Sequence, residues 1–230
     1  MPFCKIKDKW GANQRAIFHN AKRLIAKYGL PWVTLDDIAR GYKEEESPMP
    51  EGHGRVSKAL VRKLFINKEN ILKEISDSAW NPVIQEVEKI VTSNCDPTKK
   101  LWKLLTKIPN LLSEDLDACG VLVRERYPQS SKEGFLRGSM DALRCLAMLE
   151  RLLFEIKQKG NLKKGVGDVP TIVHCLYGAL EHGMLNIYLH FIDYSGDSYV
   201  KKIVDEHKRI ENLIMTLKAM ANGILKKPEK

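Results

Sequence analysis

The sequence has no apolar run approaching the roughly 18 residues that a bilayer-spanning helix needs. Its opening stretch, MPFCKIKDKW, lacks the apolar core that follows the lysines of a secretory signal. Five cysteines, Cys4, Cys95, Cys119, Cys145 and Cys175, form an odd set without CxxC spacing, so neither a disulfide framework nor a zinc ribbon is indicated. Reduced thiols in a cytoplasm fit that pattern, with Cys145 and Cys175 expected as buried structural residues. There is no glycine-rich phosphate loop, no HExxH, and no serine or cysteine nucleophile in a recognisable frame. The sequence therefore predicts no enzyme and no cofactor. No stretch reads convincingly as a strand, and no internal repeat or low-complexity tract is present.

What remains is a chain of 230 residues, 43% hydrophobic and 29% charged, which has length enough for a core of its own. The net charge of +9 permits a polyanionic partner, and its distribution says more. Residues 1–80 hold 15 Lys/Arg against 10 Asp/Glu, whereas the other 150 hold 23 against 19. Inside the basic third, Lys43–Gly54 carries four glutamates and one lysine, an acidic exception directly ahead of the basic stretch RVSKALVRKLF.

Helical periodicity runs through almost the whole chain. Ile17, Phe18, Ala21, Leu24, Ile25 and Tyr28 form one amphipathic stripe, with His19, Lys22, Arg23 and Lys27 on the other face and Gly29 as a stop. Thr34 precedes Leu35, Asp36 and Asp37 as an N-cap with first-turn carboxylates, and Leu35, Ile38 and Ala39 face inward. Ser57 caps a third helix whose inward set is Leu60, Val61, Leu64 and Phe65, leaving Lys58, Arg62 and Lys63 outside. Asn67 caps a fourth, which Pro82 is expected to kink or end. Further helices are expected at Val83–Val91, Lys99–Leu112, Lys132–Lys159, Val169–Ile192 and Ser198–Leu225, with KGNLKKGVGD as a break.

Three short helices with a basic third one are the parts of a helix-turn-helix reader. The segments TLDDIA and VSKALVRKLFINKENIL resemble the N-terminal domain of the TetR (tetracycline-repressor) family of transcriptional regulators. That family's pattern is T-x-x-x-I-A, a tight turn, then V-S-x-x-x-L-Y-x-x-F-x-x-K-E-x-L. Thr34, Ile38, Ala39, Val56, Ser57, Phe65, Lys68, Glu69 and Ile71 stand at matching positions. LLFEIKQKGNLKKGVGDVPTIVHCLYGALEHGMLNIYL resembles the family's later helices more loosely. Two departures lie on the recognition helix, where Arg62 replaces the family's aromatic residue and Leu64 its frequent histidine. The largest lies in the turn, because Ile38 and Val56 stand 18 positions apart and Lys43–Gly54 reads as an added segment.

The resemblance implies an all-α protein, with a helix-turn-helix DNA-binding domain over 1–78 and a larger helical ligand-binding and dimerisation domain over 79–230. It implies double-stranded DNA and a small-molecule effector as partners, with no membrane and a homodimer as the assembly. The implied DNA-binding set is Thr34, Arg55, Ser57, Lys58, Ala59, Arg62, Lys63 and Lys68. Lys5, Lys7 and Lys9 are read as a frayed basic terminus rather than a groove-binding arm. For the effector, an apolar cavity lined by Trp102, Met140, Arg144, Met148, His174, Tyr177, Glu181 and His182 is expected, with Phe154 a further candidate. His174, His182 and His190 recur every eight residues, about 12 Å along a helix and rotated by about 80°, so one ion cannot take all three and no metal is predicted. The dimer interface is placed on the last two helices, at Leu185, Leu189, Ile203, His207, Ile210, Ile214 and Leu217. These features together read as a ligand-responsive repressor of a palindromic operator. The alternative is a TetR-like protein whose head is blocked by the acidic segment and which acts through protein contacts.

Overall fold

The computed structural model describes residues 11–41, 56–65, 67–126, 132–193 and 199–226. Among these the architecture is all-α: α1 Ala12–Tyr28, α2 Leu35–Arg40, α3 Lys58–Leu64, α4 Lys68–Thr92, α5 Pro97–Ser113, α6 Leu116–Arg126, α7 Lys132–Gln158, α8 Val169–Asp193 and α9 Tyr199–Ile224. A single 3-10 turn, Leu30–Trp32, links α1 to α2. The Lys5, Lys7 and Lys9 terminus, the segment 43–54 and Arg55 lie outside the described residues.

The chain forms two compact units, one of residues 1–82 and 117–139, the other of 83–116 and 140–230. In the first, α1 starts at Gly11, whose N–H donates to Gln14 Oε1, and stops at Gly29, whose φ of +87° few other residues tolerate. Ile17, Phe18, Ala21 and Ile25 of α1, Ile38 and Ala39 of α2, Val61 of α3 and Phe65 just after it are all buried. Two α1 residues depart from the amphipathic expectation. Tyr28 is exposed, and Lys22 is buried with its Nζ 5.4 Å from the centroid of the Phe18 ring, an aromatic face that attracts a cation.

Helix α4 begins where expected, with the Asn70 N–H donating to Asn67 Oδ1 at 2.8 Å. It does not end at Pro82. The helix runs on to Thr92, although proline within a helix interior costs about 3 kcal/mol. Apolar residues on both sides of the proline, Ile71, Leu72, Ile75 and Ala79 before it and Val83, Ile84, Val87 and Ile90 after it, are all buried, and their burial outweighs one lost backbone bond. The stretch Val83–Val91 is thus the second half of α4 rather than a separate helix. Helix α6 had no expected counterpart. Its buried residues Leu116, Ala118, Cys119 and Val121 fall within six positions, too short a run to mark a helical period by itself.

In the second unit α5, α8 and α9 pack together. Asp96 caps α5 through the N–H groups of Thr98 and Lys99, and Asp168 caps α8 through that of Thr171. The break after α7 is an ordered strap rather than a bare loop. Gly160, at φ +73°, turns the chain, Asn161 donates back to the Ile156 carbonyl, and Leu162 bridges Leu225 beyond α9. Lys163 Nζ donates to the carbonyls of Asn222 and Gly223 at 2.9 Å each, placing a cation on the negative end of α9.

Helix α9 lies close against α8 at Gly183, where an added Cβ would lie 2.3 Å from Leu213 Cδ1. Gly183→Ala is therefore expected to cost about 1–3 kcal/mol in denaturant unfolding, as overpacking does. Gly178, also on α8, has nothing within 4 Å of such a Cβ, so Gly178→Ala should instead stabilise by roughly 0.5–1 kcal/mol. Equal effects of the two substitutions would contradict the packing described.

Candidate nucleic-acid interface

Helix α2 is six residues long, too short to persist alone, and its sequence supplies a reciprocal cap. Thr34 Oγ1 accepts the Asp37 N–H at 3.2 Å, while Asp37 Oδ2 accepts the Thr34 N–H at 2.9 Å. These Thr34 hydrogen bonds hold the Asp37 carboxyl below its ordinary value of 3.8. The cap's contribution is thus complete above that value and is lost only as pH falls through the lowered one. At the other end of α2, the buried Asn20 of α1 donates from Nδ2 to the Ile38 carbonyl at 3.2 Å. Gly41 follows at φ +79°, and a Cβ there would meet the Asn20 amide at 3.2 Å. Asn20 occupies an inward position of α1, and a polar residue among apolar ones there is the signal in the sequence for this bond.

Helix α3 is joined to α2 by two interactions. The Val56 N–H donates to the Ala39 carbonyl at 3.0 Å, so the chain re-enters described structure at the end of α2, where it left it. Lys58 Nζ pairs with Asp36 Oδ2, setting the first turns of the two helices side by side. Ser57 Oγ caps α3 by accepting the Leu60 N–H at 3.2 Å. Val61 and Phe65 are buried, Leu60 and Leu64 half-buried, and Ser57, Lys58, Ala59, Arg62 and Lys63 exposed. Thr34 is exposed at the start of α2.

Six of the eight residues expected to touch DNA, namely Thr34, Ser57, Lys58, Ala59, Arg62 and Lys63, thus lie on the exposed parts of α2 and α3. Their duties differ. Lys58 is neutralised by Asp36, while Arg62 and Lys63 have no partner among the described residues. Lys68 serves another purpose: its half-buried Nζ donates to the Leu30 carbonyl at 2.8 Å and approaches that of Pro31 at 3.5 Å. It fastens the start of α4 to the 3-10 turn.

The expected effector and dimer residues, all in the second unit, are placed less uniformly. Trp102, Met148, Tyr177 and Glu181 are half-buried, and the side chain of Met140 lies outside the described set. Arg144 is exposed and paired with Glu88. His174 and His182 are exposed, because the inward face of α8 is Ile172, Val173, Leu176, Met184, Ile187 and Tyr188. They differ in this from the lining position expected. Phe154 is likewise exposed. On α9, Ile210, Ile214 and Leu217 are buried within the subunit, so this part of the apolar stripe serves the subunit's own core. Leu185 is half-buried, Leu189 and His207 are exposed, and Ile203 has no described side chain. Burial pushes the Cys145 thiol up to about 12, whereas Cys175 is exposed rather than buried. No group of three or more His, Cys, Asp or Glu suited to a metal ion occurs among the described residues, nor any helix long and apolar enough to cross a membrane.

Two short helices joined at Val56–Ala39 and Lys58–Asp36, the second presenting Arg62 and Lys63 without partners among the described residues, have the arrangement of a helix-turn-helix pair within an all-helical set of described residues. No protein-family model and no curated protein sequence matches this chain; its likeness to known proteins is structural. KstR2, the ketosteroid transcriptional regulator of Mycobacterium tuberculosis, matches 92% of the chain and 94% of its own at 15% identity, with a TM-score of 0.68. The TetR-family regulator PfmR from Thermus thermophilus matches 93% and 99% at 18% identity, with a TM-score of 0.64. The regulator FadR from Bacillus subtilis, solved with stearoyl-CoA, matches 86% and 96% at 20% identity, with a TM-score of 0.58. The chain has the fold of the TetR-family transcriptional regulators.

Lys68→Met, which keeps the alkyl stem but loses the bond to Leu30, should cost about 1–2 kcal/mol of stability and leave the salt dependence of any DNA binding unchanged. An unmoved denaturation midpoint with a shallower salt dependence would make Lys68 a phosphate ligand instead.

Proposed function

We propose that the protein is a cytoplasmic, homodimeric, ligand-responsive repressor whose α3 reads one half-site of a palindromic operator. The observation that carries this reading is the α2–α3 pair, bound at Val56–Ala39 and Asp36–Lys58 and presenting Arg62 and Lys63 without partners. Cations on such a helix displace counterions from phosphate and steer association, while Ser57, Ala59 and Lys58, the last by exchanging Asp36 for DNA, are assigned to the base edges at the start of α3. Arg55, next to them in sequence, is assigned to the same surface. Arg62 takes by charge the phosphate contact that an aromatic hydroxyl makes by hydrogen bonding.

Effector binding belongs to the second unit. Trp102, Met148 and Tyr177 combine apolar bulk with few polar groups, and Glu181 supplies one polar anchor, a composition suited to an apolar ligand. The stearoyl-CoA held by FadR, a protein of the same fold, agrees with such an occupant. For the dimer, the exposed apolar residues Leu189 of α8 and Met215 of α9, with His207, are the contact surface, while Ile210, Ile214 and Leu217 support it from beneath. Two heads must meet major grooves about 34–36 Å apart, so a ligand that changes their separation weakens operator binding.

The four glutamates of 43–54 favour a second reading, in which the head is blocked and the protein works through protein contacts. One experiment separates the two. Duplexes selected from a random-sequence pool are titrated at two salt concentrations with the wild-type protein, Arg62→Ala and a deletion of 43–54. The repressor reading predicts sequence-specific binding by the wild type, a logarithmic salt slope shallower by about one in Arg62→Ala, and little change on deletion. Binding that appears only after the deletion establishes the blocked head, and sequence-independent binding alone removes the specific regulator.

A further inference from the structure

The most exposed large apolar side chain among the described residues is Trp32, at 79% of its full accessibility. An indole in this state forfeits the burial that usually justifies so large a side chain. Its position is fixed by a rigid backbone. Trp32 closes the 3-10 turn, its ring lies 3.9 Å from where a Cβ of Gly29 would stand, and Lys68 holds the carbonyls of Leu30 and Pro31. Tyr28, just before the turn, is 48% exposed with Lys27 Nζ 5.5 Å from its ring centroid. Two exposed aromatic rings therefore stand on either side of Gly29 in the chain, the first of them with a lysine over it.

The Trp32 turn adjoins the reading head in the chain. Trp32 is two residues before Thr34, the cap of α2, and the first turn of α2 is joined to that of α3 through Asp36 and Lys58. The two carboxylates of α2 are already committed. Asp36 pairs with Lys58, and Asp37 caps Thr34 with Arg40 at 3.9 Å. What this edge offers a partner is an exposed apolar ring on a held turn, in the same unit as the exposed Arg62 and Lys63, which fits an anionic chain that carries apolar faces between its charges.

We propose that Trp32 packs on the deoxyribose–phosphate backbone flanking the half-site read by α3, as an anchor that holds the head in register and reads no base. The inference rests on the helix-turn-helix reading and deepens it. The sugar supplies the apolar face, Lys27 neutralises phosphate, and Tyr28 adds a second exposed ring.

The test uses the full chain and the tightest duplex from the random-sequence pool. Trp32→Ala is expected to weaken binding roughly tenfold, the scale of removing a partly buried indole. The salt slope should stay unchanged because no charge is lost, and Trp32→Phe should restore most of the affinity. Acrylamide quenching gives an independent readout. The difference in quenchable emission between wild type and Trp32→Phe, which isolates this indole from Trp10, Trp80 and Trp102, should fall when the duplex is added. Specific binding with full affinity in Trp32→Ala and undiminished quenching overturns the inference and leaves the DNA reading standing. Absence of duplex binding by the wild type overturns both, and shielding of Trp32 by a protein or by anionic vesicles in that case assigns the ring elsewhere. If Trp32→Ala lowers the denaturation midpoint, the quenching difference decides.

Discussion

The Val56 N–H donates to the Ala39 carbonyl at 3.0 Å, and the rest of the reading head is built around that closure. Gly41 follows α2 directly, and Val56, the next described residue, bonds back to that same end. A helix-turn-helix needs its two helices at a fixed offset, and a tight turn is only one way to fix it. Here the offset is held by a backbone bond at the base of the added segment, by the Asp36–Lys58 pair across the first turns, and by Asn20 beneath the Ile38 carbonyl. Doubling the length of a flexible loop costs only about 0.6 kcal/mol, so these bonds, with the buried Ile38, Ala39, Val61 and Phe65, keep the unit closed.

Charge follows the same division. The head spends some of its polar groups on its own structure: Lys58 on Asp36, Asp37 on Thr34, and Lys68 on the 3-10 turn. Arg62 and Lys63 remain for a polyanion. Exposed charges farther apart than about 8–10 Å are largely screened at physiological salt. The four glutamates of the added segment therefore oppose DNA only where they come within that range. The proposed Trp32 contact would add affinity that salt does not weaken.

Much of this was legible in the sequence. Caps at Thr34, Ser57 and Asn67 gave helix starts correctly, because a side-chain oxygen facing free N–H groups is a local device. The ends of α7, α8 and α9 fell within about a residue or two of expectation because glycine breaks and long apolar stripes mark them. Tertiary packing explains what escaped. Pro82 is tolerated because both halves of α4 bury apolar faces, α6 buries a run too short to show a period, and Lys22 turns inward over Phe18. The exposure of His174 and His182 and the burial of Ile210, Ile214 and Leu217 depend on how α8 is rotated against α9. Gly183 against Leu213 fixes that rotation, and periodicity alone carries no such information.

The central claim, that the head is closed across its added segment, is tested most directly by hydrogen exchange at the Val56 amide in the full-length protein. The account predicts that Val56 exchanges with the same opening free energy as Val61, whose amide bonds to the Ser57 carbonyl inside α3. Exchange of Val56 at the rate of an unprotected amide, while Ile38 and Val61 stay protected, would contradict it.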